Sequence, residues 1–352
     1  MTVIQRNCYN FHLEIAIMET INQSELFDET DKIILNILQV NFPVSKRPFL
    51  EIAAQTGVSE NEVMERIVNL KKKRVIRQIS AIFDSHNIGY KSTLAALRVK
   101  EENIDNAASV LNSHKGVSHN YLRNNSFNIW FTITLPSGTS LEEEIKSLAG
   151  AAKADSYLML PTIKLFKIGV NFDMTGEDNS SFKFFSHDDF KSDDEIRVSD
   201  FEKGLIRELQ KDLEITREPF KNSSEVLNIS QGELIGAINK FIAEKKMRRF
   251  ACVLYHQKAG FSYNIMGIWK SKTGDVEKNG RLMSAVKEVS HCYQRPIYPG
   301  LWEYNIFTMI HSKSKEDALR VMKDISNLTG IKDYDSLESV KEFKKVRVKY
   351  YV

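Results

Sequence analysis

The sequence predicts an α+β protein made of two copies of one unit. Each unit is a winged helix-turn-helix followed by a ferredoxin-like β-α-β-β-α-β domain. Three observations predict this. First, shifting the 352-residue chain by 171 positions lays Leu38-Gln39 on Leu209-Gln210, Pro48-Phe49 on Pro219-Phe220, Arg77 on Arg248 and Gly89-Tyr90 on Gly260-Phe261. Second, each copy opens with apolar residues at helical spacing around a short turn. Third, alternating strand-like runs and two helical runs follow in the same order in both copies.

The elements follow in chain order. Residues 1–27 have no counterpart in the second copy and are expected to be an extension with one helix around 12–22. DETDKIILNILQ places apolar residues at helical spacing behind acidic N-cap residues. FLEIAAQTG stops at Gly57, and SENEVMERIVNLKKKRVI opens on Ser59 and Glu62, the spacing of a capping box. QISAIFD, STLAALRV, a helix over 101–113, HNYLR, NIWFTITL, a helix over 140–150 and TIKLFKIGV complete the unit. The second copy is expected to follow suit, with helices near 275–287 and 314–329.

The offset grows to 172 at the repeated histidines and to 177 from Asn128-Ile129 and Asn305-Ile306 onward. The step falls in a loop where the second copy carries the longer PIYPGLWEY. Expected boundaries are 28–80 and 199–250 for the helix-turn-helix units, and 81–173 and 251–352 for the ferredoxin-like domains. Between them 174–198, rich in Asp, Ser and Lys, reads as a solvated linker pinned by Phe182, Phe184, Phe185 and Phe190.

Composition narrows the function. Lys+Arg 49 against Asp+Glu 46 is nearly balanced, which argues against binding a polyanion by gross charge. The 3 cysteines, Cys8, Cys252 and Cys292, form no C-x-x-C pair, so a disulfide framework or cysteine-ligated metal centre is not expected. Cys252 reads as a small core residue. No apolar run has the length of a membrane span, and Glu14 and Glu19 interrupt any signal-peptide core. A cytoplasmic protein is expected.

The candidate chemistry lies in a repeated string. Val117-Ser118-His119, Tyr121 and Arg123 return as Val289-Ser290-His291, Tyr293 and Arg295. Alternate residues of a strand share a face, so Val117, His119, Tyr121 and Arg123 are expected on one side, with Ser118, Asn120 and Leu122 on the other, and likewise Val289, His291, Tyr293 and Arg295 opposite Ser290, Cys292 and Gln294. Between His and Arg the shared residues are those of one face, whereas the other face differs. A solvated sheet face carrying ordinary surface residues would also read His-x-Tyr-x-Arg; repetition on one face weighs against that. The His-to-Arg span is about 13 Å. Imidazole exchanges protons near neutral pH. Guanidinium grips a carboxylate through two hydrogen bonds. A phenol donates a hydrogen bond while its ring packs on a flat ligand.

A helix-turn-helix followed by a ferredoxin-like domain resembles the Lrp/AsnC family. Longer strings resemble one branch, the siroheme decarboxylases. FP-x5-PF, IFDSHNIGYKSTLAALRV, VSHNYLR and FNIWFT look like its first subunit, and KAGFSYNIMGIW, VSHCYQRP and YNIFTMIH like its second. The resemblance covers nearly all of 28–352 and implies two subunits fused in one chain. It implies removal of carbon dioxide from the C12 and C18 acetates of siroheme, giving didecarboxysiroheme for heme or heme d1. It implies no organic cofactor, essential histidines at His119 and His291, and a pseudo-symmetric pairing of the halves that allows further dimerisation. On this basis His119 and His291 are the expected catalytic residues, as proton donors from a histidinium. Arg123 and Arg295 are expected to clamp carboxylates that stay, with Tyr121 and Tyr293 beside them. Ligation of the substrate iron by a histidine is the alternative role.

Other positions are weighed against simpler explanations. His256 matches the family's R-H-x-x-A-G-F, but Tyr255 replaces the Arg, and Lys258 would have to take over a carboxylate contact. Arg248 and Arg249 sit where the helical unit meets the sheet; Arg248 is an expected substrate anchor, against the plainer role of a basic helix end. His311 aligns with Thr134 and reads as structural. The rival functions are a DNA-binding regulator and a heme-binding sensor. Against the first, the expected recognition helices offer Glu60, Glu62 and Glu65 in one copy and Gly232, Glu233 and Gly236 in the other. Nucleic acid is therefore not an expected partner.

Overall fold

The computed structural model describes residues 28–169, 196–255 and 263–352. The N-terminal extension, nearly all of the expected linker, and the segment with His256 and Lys258 lie outside the described residues.

The first helical unit is α1 (Glu29–Val40), α2 (Pro48–Thr56) and α3 (Glu60–Lys72). Asp28 caps α1 in a reciprocal box with Asp31. Pro48 opens α2, and Gly57 closes it at φ 73°, where a side chain would be strained. Ser59 caps α3 by accepting from Glu62 N. Only half of the expected box forms there, because the Glu62 carboxylate takes Arg66 Nε at 3.0 Å instead. The second unit is α6 (Asp200–Leu209), α7 (Lys221–Val226) and α8 (Gln231–Ala243), with a full Ser230–Glu233 box. The two units share one core. Phe42 packs at 5.2 Å on Phe250 and 6.4 Å on Phe220, and such ring pairs contribute about 1 kcal/mol each beyond area burial.

QISAIFD does not open the ferredoxin-like sheet. Within β1 (Ile76–Phe83) it pairs antiparallel with its own counterpart, β7 (Met247–Leu254), Ile79 facing Cys252. Ile76, Ile79, Ala81 and Phe83 bury their side chains in the helical core, which fixes the ribbon there. Cys252 lies in the same core.

The first sheet half comprises β2 (Tyr90–Arg98), α4 (Ile104–Ser113), β3 (Val117–Arg123), β4 (Ile129–Pro136), α5 (Leu141–Ala151), β5 (Ser156–Leu160) and β6 (Lys164–Ile168). The second comprises β8 (Tyr263–Trp269), α9 (Val276–Ala285), β9 (Val289–Gln294), β10 (Ile306–Ser312), α10 (Lys315–Thr329) and β11 (Tyr334–Lys345). Among the described residues, the strands outside the ribbon form one 9-stranded sheet in the order β5-β2-β4-β3-β11-β8-β10-β9-β6.

The halves exchange strands. β11 pairs with its own β8 through Tyr334–Glu338, then crosses to β3, where Glu342 faces Tyr121 and Lys345 faces His119. The first copy does the same in two pieces: β5 pairs with β2, and β6 pairs with β9. Only Pro161, Thr162 and Ile163 separate β5 from β6, so the chain itself joins the two outer edges of the sheet. At each crossover an arginine ties down the passing strand: Arg123 Nη1 donates to Leu337 O at 2.6 Å, and Arg295 Nη1 donates to Leu160 O.

The helices cover the outer face with two apolar cores, one per copy. The inner face holds a third core drawn from both copies, including Trp130, Leu158, Met266, Phe307 and Leu337. The longer second-copy loop supplies its centre. Trp302 packs 5.4 Å from Trp130 and 6.2 Å from Phe307, and Tyr298 donates to Met159 O.

Candidate active site

β3 and β9 bring His119, Tyr121, Arg123 and His291, Tyr293, Arg295 to the inner face. Tyr121 lies opposite Trp130, and Tyr293 opposite Phe307, both inner-core residues. Each set forms a row. The His119 and Tyr121 rings stack 6.3 Å apart at 25°, and those of His291 and Tyr293 6.1 Å apart at 20°. The next member is a guanidinium, 5.3 Å from the Tyr121 ring and 4.8 Å from the Tyr293 ring. The arginine end of the second row lies against Phe307. The histidine ends face the ribbon, whose Arg77 acts on His119 and Arg248 on His291.

The expected face of Val117 and Val289 is corrected. Val117 packs in one helix-side core and Val289 in the other. A register shift between Val117 and His119, matched in the second copy between Val289 and His291, breaks the period of two. The irregularity turns each serine onto its histidine. Ser118 Oγ lies 2.9 Å from His119 Nδ1, and Ser290 Oγ 2.8 Å from His291 Nδ1. Strict alternation assigns both serines to the wrong side, although their repetition within V-S-H-x-Y-x-R was a usable signal.

Burial dominates the electrostatics. It pulls His119 down to about 4, helped by the charges of Lys345 and Arg77. It pulls His291 down to about 3, helped by His311, Arg248, His119 and Lys167. The resting protein therefore holds neutral imidazoles at pH 7, not the histidinium expected from sequence. His119 is among the charges that act on His291, so the two rows converge on one region. Burial also lowers Arg123 and Arg295 to about 10. Both stay protonated at neutral pH. Their Nε atoms are buried without a hydrogen-bond acceptor, and among the described residues neither guanidinium pairs with a carboxylate. A buried cation without a counter-charge costs several kcal/mol, a cost that an anionic ligand would offset.

The rows differ in what faces them. Opposite His119 and Tyr121 stand Lys345 and Glu342, and Tyr121 Oη donates to Glu342 at 3.3 Å. Opposite His291 and Tyr293 stand Ile168 and Leu165. His311 lies two residues beyond Met309 on the same strand, and its charge is among those that act on His291. Its counterpart Thr134 donates to Ser92 Oγ at 3.0 Å. Arg248 is tied to the buried Asp84 at 3.0 Å, so it presents a fixed positive charge to His291.

Comparison with known proteins gives this geometry a family. Residues 31–77 match the siroheme decarboxylase NirDL-like HTH domain, and 87–167 and 258–344 match the AsnC-like ligand binding domain. The siroheme decarboxylase of Hydrogenobacter thermophilus is 33% identical over 92% of this chain and 95% of its own length. The chain belongs to the siroheme decarboxylase family. Within that family, the decarboxylase alpha subunit of Desulfovibrio desulfuricans is 41% identical but spans only 43% of this chain, with 86% of that subunit covered. A crystal structure of the siroheme decarboxylase NirDL with an iron-uroporphyrin III analogue superposes with a TM-score of 0.71 at 29% identity, covering 92% of this chain and 95% of that one. The fold expected for a fused decarboxylase, helix-turn-helix units plus AsnC-like domains in tandem, is the fold observed. Among the described residues no helix is long and apolar enough to cross a membrane.

Proposed function

We propose that this chain decarboxylates siroheme. It removes the carboxyl groups of the C12 and C18 acetates without redox change and yields 12,18-didecarboxysiroheme for heme or heme d1. One observation carries the assignment to these rows: two buried guanidiniums without a carboxylate partner among the described residues, each separated by one tyrosine from a neutral, buried imidazole.

The chemistry follows from the surroundings. A macrocycle rimmed with carboxylates brings negative charge to two depressed histidines and raises their proton affinity. Each histidine takes up one proton as an acetate settles beside it ionised. Arg123 and Arg295 hold carboxylates that are not lost, and Tyr121 and Tyr293 pack against the ring system. The bond between the methylene and carboxyl carbons breaks, and carbon dioxide leaves. The electron pair stays on the methylene carbon and spreads into the macrocycle. The imidazolium proton then moves to that carbon, leaving a methyl group and a neutral histidine. One proton is consumed for each carbon dioxide released. Ligation of the iron by a histidine is the competing role for the same residues. His256 is a proposed substrate contact on the family resemblance, with Lys258 in place of the missing arginine, and Arg248 is a proposed anchor through its fixed charge.

The DNA-binding alternative finds less support. Arg66, on the exposed side of α3, spends its guanidinium on Asp28 at 2.8 Å, Asp31 at 3.0 Å and Glu62 at 2.9 Å. That leaves an acid-rich helix for a phosphate backbone to meet.

Mass spectrometry of siroheme incubated anaerobically with the purified chain tests the proposal. Loss of two carbon dioxide units is expected; an unchanged substrate mass would sink it and favour a sensor. His119→Ala and His291→Ala are expected to lose carbon dioxide release, and full activity in both would remove these histidines from the chemistry.

A further inference from the structure

We propose that Ser290 is a positioning residue that keeps the proton of His291 on Nδ1, making Nε2 the atom that takes up and delivers a proton. The inference rests on the decarboxylase function proposed above and assigns a role to a residue outside the His-Tyr-Arg row.

Ser290 has two neighbours. Its Oγ lies 2.8 Å from His291 Nδ1 and 3.2 Å from Met309 O. A carbonyl oxygen can only accept, and a hydroxyl has one proton to give. The Ser290 proton therefore goes to Met309 O, and its lone pair is left facing Nδ1. That contact is a hydrogen bond only if Nδ1 carries a hydrogen. In a neutral imidazole the other nitrogen, Nε2, is then bare. Ser290 is only 8% exposed, which limits competition from water for either contact. The register shift at Met309 and Ile310 holds the arrangement, since it brings the serine, the carbonyl and the ring together.

The first copy has the same serine without the same constraint. Ser118 Oγ lies 2.9 Å from His119 Nδ1, and among the described residues its hydroxyl has no carbonyl like that of Met309 to donate to. Its proton is free to go to Nδ1, which would place the ring hydrogen on Nε2. Two serines that look alike in sequence thus set different proton addresses.

In the proposed reaction a bare Nε2 on His291 binds the incoming proton, and the same atom returns it to the methylene carbon after carbon dioxide has left. Nδ1 keeps its hydrogen throughout, so the imidazolium has one proton to lose and one direction to lose it.

The test uses the full chain with nitrogen-15 histidine. Two-bond proton–nitrogen correlation spectra at pH 7.5 distinguish a protonated from a bare ring nitrogen, and His291 is assigned by the signals lost in His291→Gln. A hydrogen on Nδ1 and a bare Nε2 are expected. A hydrogen on Nε2 in the unaltered protein would overturn the proposal with no variant needed. Ser290→Ala should give a mixture of the two forms and lower kcat for siroheme by about 10- to 100-fold with KM little changed. Its pH–rate profile should shift, and Ser290→Thr should restore both the Nδ1 form and most of kcat. Unaltered kcat and pH profile in Ser290→Ala would also overturn it. Absence of carbon dioxide release by the unaltered chain would defeat the decarboxylase function instead, while the spectra would still judge the serine.

Discussion

At the scale of single residues, the rows balance two kinds of buried charge. The arginines remain charged without a carboxylate among the described residues, whereas the histidines give up theirs. Replacing Arg295 with Leu should therefore weaken siroheme binding by about 2 kcal/mol, roughly thirtyfold in KM, with a smaller change in kcat. Steady-state assays on the variant would show it. The histidines also set an acid limit on stability. Unfolded histidine takes a proton near 6.5, but folded His119 and His291 resist until about 4 and about 3. The unfolded chain thus binds more protons as pH falls from 6.5, and the folded state loses stability over that window. At pH 5 the loss is on the order of 2 kcal/mol per histidine. Urea melts of His291→Gln should show a shallower decline between pH 6.5 and 5 than the unaltered protein. The repeated His, Tyr and Arg were legible in the sequence because duplication marks them twice. The serines were misassigned because a period of two presumes a regular strand. Lys345, Glu342, Ile168 and Leu165 were illegible, since only strand exchange brings them opposite the rows.

At the scale of elements, the exchange of β6 and β11 is the main departure from two independent ferredoxin-like units. TIKLFKIGV was legible as a strand, but SYLML before it was not, and neither reveals that the two pieces join different partners. Helix α9 shows how tightly the exchanged strand is seated. A Cβ on Gly280 would come within 2.3 Å of the Phe166 ring, which arrives on β6 from the other copy. Gly280→Ala must displace that ring, because the backbone on either side is fixed in helix and strand. We expect a loss of about 1–3 kcal/mol, since overpacking a filled contact outweighs the helical preference for alanine. Chemical denaturation would measure it. An unchanged or raised midpoint would mean that the contact between copies is looser than the geometry implies.

At the scale of the whole molecule, the copies are bound by more than the peptide that links them. β3 pairs with β11, β9 with β6, and the helical units share Phe42, Phe220 and Phe250. The C-terminal residues add a tie: Val346 N donates to Ser118 O at 2.8 Å, and Tyr350 N to Gln210 Oε1 at 2.8 Å. Cutting the chain once between residues 169 and 196 should leave both pieces in one particle, eluting together from a sizing column at the intact mass. Separation into two folded pieces would contradict the strand exchange. The residues that face the two histidines, Lys345 on one side and Ile168 on the other, carry a further consequence. Two identical subunits related by a twofold axis must present the same residue twice, so a flat ligand could be turned over without noticing. A single polypeptide is free of that obligation. With a lysine beside one imidazole and an isoleucine beside the other, the two rows stop being interchangeable, and a macrocycle with an unsymmetrical rim meets different neighbours when it is turned over.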